Sequence, residues 1–223
     1  MLGMEPNCCR VDYSEQFNDD EARRDLLTYR ADGPDPTTLR LVEALIGEGV
    51  QDASLLDIGG GIGAVQLQLL AAGVARSTDV DASAPYLAVA RTEAEELGWR
   101  DRTAYLHGDF TKLADQVEPA DIVTLDRVVC CYPDARALVG LSAARARRLY
   151  GLVHPVDRWW TRLLASAGNL GYALFRNPYR MYVHRQALID ELISREGLQL
   201  ASAHAGWFWR TAVYRRTDAA STA

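Results

Sequence analysis

The sequence predicts an α/β fold in which helices cover both faces of a doubly wound, mostly parallel sheet. Three observations predict it. Short apolar segments alternate with helix-length segments from Ser54 to Val153, the rhythm of strands joined by right-handed crossovers. A glycine-rich turn, Gly59-Gly60-Gly61-Ile62-Gly63, stands between the first of those strands and the helix after it. Carboxylates recur where strands end, at Asp57, Asp81, Asp109 and Asp126.

Taken in order, Glu15 to Arg30 is charged with scattered apolar residues and reads as a capping helix, punctuated by Gly33-Pro34-Asp35-Pro36. Thr37 to Ile46 sets Leu39, Val42, Leu45 and Ile46 on one helical face, and Gly47 and Gly49 stop it. Ser54 to Ile58 is the first strand, followed by the glycine turn and a helix from about Ala64 to Ala72. Arg76 to Val80 is the second strand, and the helix from Pro85 to Leu97 ends at Gly98. Thr103 to His107 is the third, running into Gly108-Asp109-Phe110. Asp121 to Asp126 is the fourth, with a helix from about Ala135 to Arg147 whose Arg145, Arg147 and Arg148 read as a solvated face. Leu149 to Val153 is the fifth.

The rhythm then breaks. Asp157 to Tyr182 is rich in Trp, Tyr, Arg and Leu, long for a connection and helical in part, and Gln186 to Arg195 reads as a helix. Leu198 to Ala203 and Trp207 to Tyr214 lie too close together for a helical crossover, so they pair antiparallel. The expected organisation is a helical cap over residues 1–36 and one domain over 37–223, with a lid insertion at about 156–183.

Composition narrows the function. The 223 residues suffice for one sizeable core, and 30 acidic against 24 basic side chains give a formal charge of −6, no global reason to bind nucleic acid. No run approaches the ~20 apolar residues of a membrane helix, and Met1-Leu2-Gly3-Met4-Glu5-Pro6 lacks the pattern of a secretory signal. The cysteines, Cys8-Cys9 and Cys130-Cys131, fall as adjacent pairs rather than as a disulfide framework. A cytoplasmic enzyme with no integral membrane association is expected.

The glycine turn is where a ligand can lie against bare backbone at the positive end of a helix. Gly59, Gly61 and Ala64 also satisfy a dinucleotide-type pattern. Asp57 opposes a diphosphate there and suits an ammonium or sulfonium cation. Asp81, at the end of the second strand, reaches a ribose diol. Asp109 reaches the exocyclic amine of an adenine, with Phe110 to pack on the ring. Each acid alone has a plain alternative as a helix cap or turn former; together with the turn they describe one crevice.

Asp57-x-Gly59-x-Gly61-x-Gly63, Val80-Asp81-Ala82-Ser83, Gly108-Asp109-Phe110 and Asp121-Ile122-Val123-Thr124-Leu125-Asp126 resemble the ordered motifs of class I S-adenosylmethionine-dependent methyltransferases. The resemblance spans about Thr37 to Tyr214. It implies a Rossmann-like, seven-stranded sheet with an antiparallel last strand, S-adenosylmethionine as cofactor, and a binding set of Asp57, Gly59, Gly60, Gly61, Gly63, Asp81, Ala82, Gly108, Asp109, Phe110 and Asp126. In that set Asp57 and the glycines hold the methionine part, Asp81 the ribose (ahead of nearby Asp79) and Asp109 the adenine. The stretches Asp126 to Pro133 and Arg180 to Arg185 further resemble magnesium-protoporphyrin O-methyltransferases, through the Asp-Arg-Val-Val-Cys-Cys-Tyr-Pro and Arg-Met-Tyr-Val-His-Arg texts.

Methyl transfer from a sulfonium needs alignment more than a special residue, and a general base only for a protonated acceptor. The candidates for such a group are Tyr132, His154 and His184; His107 and His204 read as structural. No metal is expected, although Cys8-Cys9 and Cys130-Cys131 could meet at the crevice mouth as a four-thiolate site or a redox clasp. The insertion with Trp159, Trp160, Leu163, Leu164, Tyr172, Phe175 and Tyr179 suits a flat or greasy acceptor, a membrane-surface helix or a plain structural lid. The expected function is methylation, O-methylation first, of a small aromatic or apolar organic acceptor. The alternatives are a nicotinamide-dependent oxidoreductase on a similar fold and a non-catalytic cofactor-binding protein.

Overall fold

The structure, a computed structural model, describes residues 17–217. Helix α1 (Asp19–Asp32) begins where the Asn18 side chain accepts from the backbone N–H groups of Asp20 and Glu21. Asp19, Asp20 and Glu21 fill its first turn, where the helix dipole favours negative charge. Helix α2 (Pro36–Gly47) is capped by Asp35 with Pro36 at its first position.

The alternating series follows: β1 (Ser54–Ile58), α3 (Ala64–Ala71), β2 (Arg76–Asp81), α4 (Ala84–Glu96), β3 (Thr103–His107), the single turn α5 (Phe110–Leu113), β4 (Ala120–Asp126), α6 (Ala135–Ala144) and β5 (Ala146–Pro155). Helices α7 (Trp159–Leu174) and α8 (Gln186–Arg195) precede the closing strands β6 (Leu198–Ala205) and β7 (Trp209–Arg216).

The seven strands run in the order β3-β2-β1-β4-β5-β7-β6. Strands β1 to β5 pair in parallel, and β7 inserts antiparallel between β5 and β6. Side chains alternate across the sheet, and each face has its own core. Leu55, Ile122, Leu149, Val153 and Val213 pack with Leu41, Leu45 and Leu69 of α2 and α3. Leu56, Ile58, Val123, Leu125, Tyr150 and Tyr214 pack with Leu138 of α6 and Ile189 and Ile193 of α8.

The strand order reverses between β1 and β4, and there the carboxyl ends of the strands open a crevice.

One boundary differs in kind from the sequence reading. Helix α6 stops at Ala144 and β5 already runs from Ala146, so Arg145, Arg147 and Arg148 are not a helix face. Arg148 donates to the Glu48 and Gly49 carbonyls and Arg145 pairs with Asp115, contacts that hold this stretch extended against its neighbours. Strand β6 starts at Leu198 as the apolar text suggests and ends slightly later, at Ala205, and β7 both starts and ends slightly later, at Trp209 and Arg216. The turn between them is fixed by Val156 N–H donating to the Phe208 carbonyl and Gly206 N–H to that of Trp209.

Among the described residues no helix is long and apolar enough to cross a membrane.

Candidate functional site

The crevice is a cavity of about 600 Å³, within the range of small-molecule sites. Its floor is the β1 turn. Gly59 has φ +65, and a Cβ there would lie 2.6 Å from Val128. A Cβ on Gly60 would lie 2.8 Å from the carboxylate of Asp79. Both approaches require glycine.

The turn is lashed to the end of β2, with Gly60 N–H donating to Asp79 at 3.3 Å and Gly61 N–H to Asp81 at 3.0 Å. The sequence suggests backbone N–H groups free for a ligand; here these two are already engaged by carboxylates, which keep further acceptor capacity of their own.

Strand register sets the electrostatics. Asp57 pairs with Asp79 on one side and Thr124 on the other, so all three side chains stand on one face of the sheet. Asp57 and Asp79 are both fully buried. Thr124 donates to Asp57 Oδ1 at 2.7 Å, while Asp57 Oδ2 and Asp79 Oδ2 have no hydrogen-bond partner. Burial first, then the neighbouring charges of Asp126 and Asp81, pushes Asp57 up to about 7. Burial and the Asp57 charge push Asp79 up as well. Asp57 lines the cavity and Asp79 lies beneath Gly60. Asp57 thus carries an unpartnered buried oxygen at a cavity-lining position, which fits the ammonium of a methionine moiety.

Asp81 accepts from Gly61 N–H and, at 2.7 Å, from Ser83 N–H, which orients it over the cavity. Asp109 caps α5, accepting from Thr111 N–H at 3.0 Å and from its hydroxyl at 2.8 Å. It thus has the cap role as well as a place on the cavity wall, beside Gly108 and the buried Phe110. The Tyr132 hydroxyl also reaches Asp109, at 3.2 Å, and Thr111 Oγ1, at 2.7 Å.

Asp126 accepts from the Thr38 hydroxyl, and burial raises its pKa against the pull of Arg127, whose Nε is 3.3 Å away. Arg127 has a left-handed backbone (φ +61), which costs about 1–3 kcal/mol in a non-glycine residue. Its guanidinium also lies 3.6 Å from Asp35.

Asp57, Gly59, Gly60, Gly61, Asp81, Ala82, Gly108, Asp109, Phe110, Asp126 and Tyr132 all line this one cavity. Gly63 does not; it is the left-handed residue that opens α3.

His154 and His184 are not brought to the cavity either, contrary to the sequence expectation. His154 is 1% exposed inside β5, with Nδ1 3.0 Å from the Pro155 carbonyl, and burial with the Arg210 charge drives it down to about 4. His184 Nε2 lies 2.9 Å from the Tyr132 carbonyl, and its ring stacks on Tyr182. One is buried in the sheet with Nε2 unpartnered, and the other holds a backbone carbonyl.

The opposite wall comes from residues with no motif. Asp25, Thr28 and Tyr29 of α1 face the cavity, and Tyr86 bridges to α1 by donating to Asp25 at 2.5 Å. Phe17 lies edge-on to Tyr86 and to Tyr179, with ring centroids 5.8 and 6.1 Å away. Cys131 Sγ lies 3.1 Å from the Tyr179 hydroxyl, and Tyr182 N–H donates to the Cys130 carbonyl.

Asp25, Thr38, Tyr86 and Arg127 therefore escape the sequence reading of the site, whereas Tyr179 belongs to the insertion expected to cover the acceptor. The available signals were the i, i+4 pair Asp25 and Tyr29 on α1 and the position of Arg127 directly after the strand-end acid. Among the described residues no group of His, Cys, Asp or Glu is placed to hold a metal; Cys8 and Cys9 lie outside them.

Residues 55–148 match the methyltransferase domain family, and no curated protein sequence matches the chain. Magnesium protoporphyrin IX methyltransferase from Synechocystis PCC 6803 with bound S-adenosylhomocysteine has the same fold, with TM-score 0.72 at 22% identity over 92% of this chain and 97% of that one. Its S-adenosylmethionine-bound form gives TM-score 0.69 at 18% identity over 97% and 100%. An O-methyltransferase family protein from Burkholderia thailandensis gives 0.70 at 16% over 94% and 64%.

The family-matched segment runs from β1 into β5 and contains the glycine turn and every strand-end carboxylate of the crevice. With that match, residues 55–148 are similar to methyltransferase domains, and the chain as a whole has the Rossmann-like fold of solved methyltransferases that bind S-adenosylmethionine.

Proposed function

We propose that this enzyme methylates an oxygen of a small, flat and largely apolar organic acceptor, held between α1 and the segment that follows α7. The observation that carries the reading is the composition of the cavity lining, to which Phe17, Tyr29, Tyr179, Met181 and Trp209 contribute and in which, among the described residues, Arg127 is the one basic side chain. The solved folds most like this one include enzymes named for a protoporphyrin and for O-methylation, and another is in complex with apigenin, all flat or oxygen-bearing chemistry.

Of the cap expected over 1–36, the described part 17–36 acts as the cap (1–16 lie outside the described residues), and 156–183 act as the lid of the domain. Asp57 takes the ammonium of the cofactor's methionine part over the glycine turn. Asp81 accepts from the ribose hydroxyls, with Ala82 beside it, and Gly108, Asp109 and Phe110 frame the adenine. Asp126, bonded to Thr38, closes the floor between cofactor and acceptor.

The bound sulfonium supplies the activated methyl group. This chain's part is to hold the acceptor oxygen in line with it and exclude water, positioning worth about 7–11 kcal/mol in well-oriented reactions. An ionised carboxylate or phenolate needs no general base. His154, His184 and Tyr132 are not assigned that role, since His154 and His184 lie outside the cavity and the Tyr132 hydroxyl holds Asp109 and Thr111.

Incubation with methyl-tritiated S-adenosylmethionine and a panel of flat aromatic acids and phenols tests the reading. Mass spectrometry should locate the methyl group on oxygen. Transfer only to carbon or nitrogen, or only to a nucleic acid or protein, would overturn it.

A further inference from the structure

Helix α7 faces its small residues inward and its large apolar residues outward. Its buried residues are Thr161 and Ala165. On the opposite side Trp159, Leu163, Leu170 and Leu174 recur at helical spacing and are 73%, 60%, 72% and 78% exposed. Phe175 continues the stripe, and Trp207 from the β6–β7 turn is tied alongside by the Trp160 indole N–H, which donates to its carbonyl. A continuous exposed stripe of this kind marks an interaction surface.

The sequence that carries it, between Asp157 and Asp190, has charge of one sign. From Arg158 to Ile189 there is no Asp or Glu, whereas Arg158, Arg162, Arg176, Arg180 and Arg185 all fall there, in a chain of net charge −6. Arg162 is paired with Asp157, and Arg180 is turned onto the Asn177 and Tyr179 carbonyls. Arg158 lies over the Trp160 ring, and Arg176 and Arg185 are exposed.

We infer that this face docks the enzyme on the surface of an anionic lipid bilayer. Trp, Leu and Phe on one stripe enter the boundary between headgroups and acyl chains, and the flanking guanidinium groups meet lipid phosphates. A second copy of this chain is a poorer occupant, because a two-fold contact would set the arginines of one stripe against those of the other. An uncharged apolar partner would leave the arginines without counter-charge.

The test is flotation of the full chain with phosphatidylcholine vesicles, with and without phosphatidylglycerol. Binding is expected to the phosphatidylglycerol vesicles and to weaken in salt. The triple substitution Leu163→Ser, Leu170→Ser, Leu174→Ser should lower the partition coefficient by about tenfold or more, and Arg176→Glu with Arg185→Glu should lower it by a similar factor. Because these side chains are exposed, melting temperature and S-adenosylhomocysteine binding should stay as in the parent, a check that the variants fold. Absence of binding to anionic vesicles, or equal flotation of folded variants and parent, would overturn the inference. So would a dimer in sedimentation velocity that the leucine substitutions dissociate, since a second copy would then own the stripe.

Discussion

The two walls of the cavity are built on different principles. On the β1–β2 side each polar contact joins residues that strand register already makes neighbours: Asp57 with Thr124, Asp79 with Gly60, Asp81 with Gly61. On the α1 and post-α7 side the contacts join distant elements: Tyr86 with Asp25, Thr38 with Asp126, Cys131 with Tyr179. The first wall is fixed by the sheet and the turn that follows β1. The second depends on how cap and lid segments settle on that sheet. On the proposed function, recognition of the cofactor belongs to the first wall and choice of acceptor to the second.

The largest effect that separates them is expected from Gly60→Val. Its Cβ would fall 2.8 Å from the buried Asp79 carboxylate. Overpacking there should destabilise the fold by about 1–3 kcal/mol in urea unfolding and lift the turn into the space of the cofactor. Calorimetry should then detect no S-adenosylhomocysteine binding; undiminished affinity would show that the turn does not shape that site.

Asp81→Ala comes next. Loss of hydrogen bonds to a charged acceptor, each worth about 1.5–3 kcal/mol, should weaken S-adenosylhomocysteine binding by about tenfold or more. The acceptor KM should hardly move. A change confined to that KM would reverse the assignment of the two walls.

The same division explains what the sequence made legible. The strands, the order of elements and the crevice carboxylates follow from local text: Ser54 to Ile58 is apolar and short, the glycines follow at once, and Asp81 ends the next strand. The second wall has no such text. Nothing local announces that Tyr86 meets Asp25 or that Phe17 lies edge-on to two tyrosines, since those contacts depend on where separate elements come to rest.

His154 and His184 failed as site residues for a related reason. A lone histidine beside a strand end looks alike in sequence whether its ring faces a cavity or a carbonyl. Here the β5 pleat buries one and the Tyr132 carbonyl holds the other.

A pH series sharpens the comparison on the first wall. Asp57 rises from the ordinary 3.8 to about 7, so between those values the folded chain keeps a proton the unfolded chain has lost. Stability of the ligand-free protein should therefore fall as pH rises from about 4 to about 7, with the adjacent Asp79 titrating as part of the same pair. A ligand ammonium opposite Asp57 favours the ionised form. The rise in melting temperature caused by S-adenosylhomocysteine should accordingly be greater at pH 8 than at pH 6, by about 2–4 °C for each kcal/mol of differential stabilisation. Asp57→Asn should flatten that dependence, and an equally steep profile in the variant would place the titration elsewhere.

On the second wall, Tyr86→Phe removes the hydroxyl that ties α1 to α4 while leaving exposed Asp25 to water. A loss of about 1 kcal/mol is expected, with the acceptor KM rising more than cofactor affinity falls.

The smallest effect is expected at His184. Its ring reaches the Tyr132 carbonyl and stacks on Tyr182, outside the cavity, so no proton held there is in reach of an acceptor. His184→Ala should keep kcat within about twofold and leave the pH dependence of kcat unchanged, because a general base contributes about 10²–10⁴-fold and this residue is not in position to be one. A drop of that size with an altered pH profile, in a variant that still binds S-adenosylhomocysteine as the parent does, would mean that the lid moves far enough in turnover to carry His184 into the cavity. The second wall would then be a moving part of the chemistry rather than a surface that selects the acceptor.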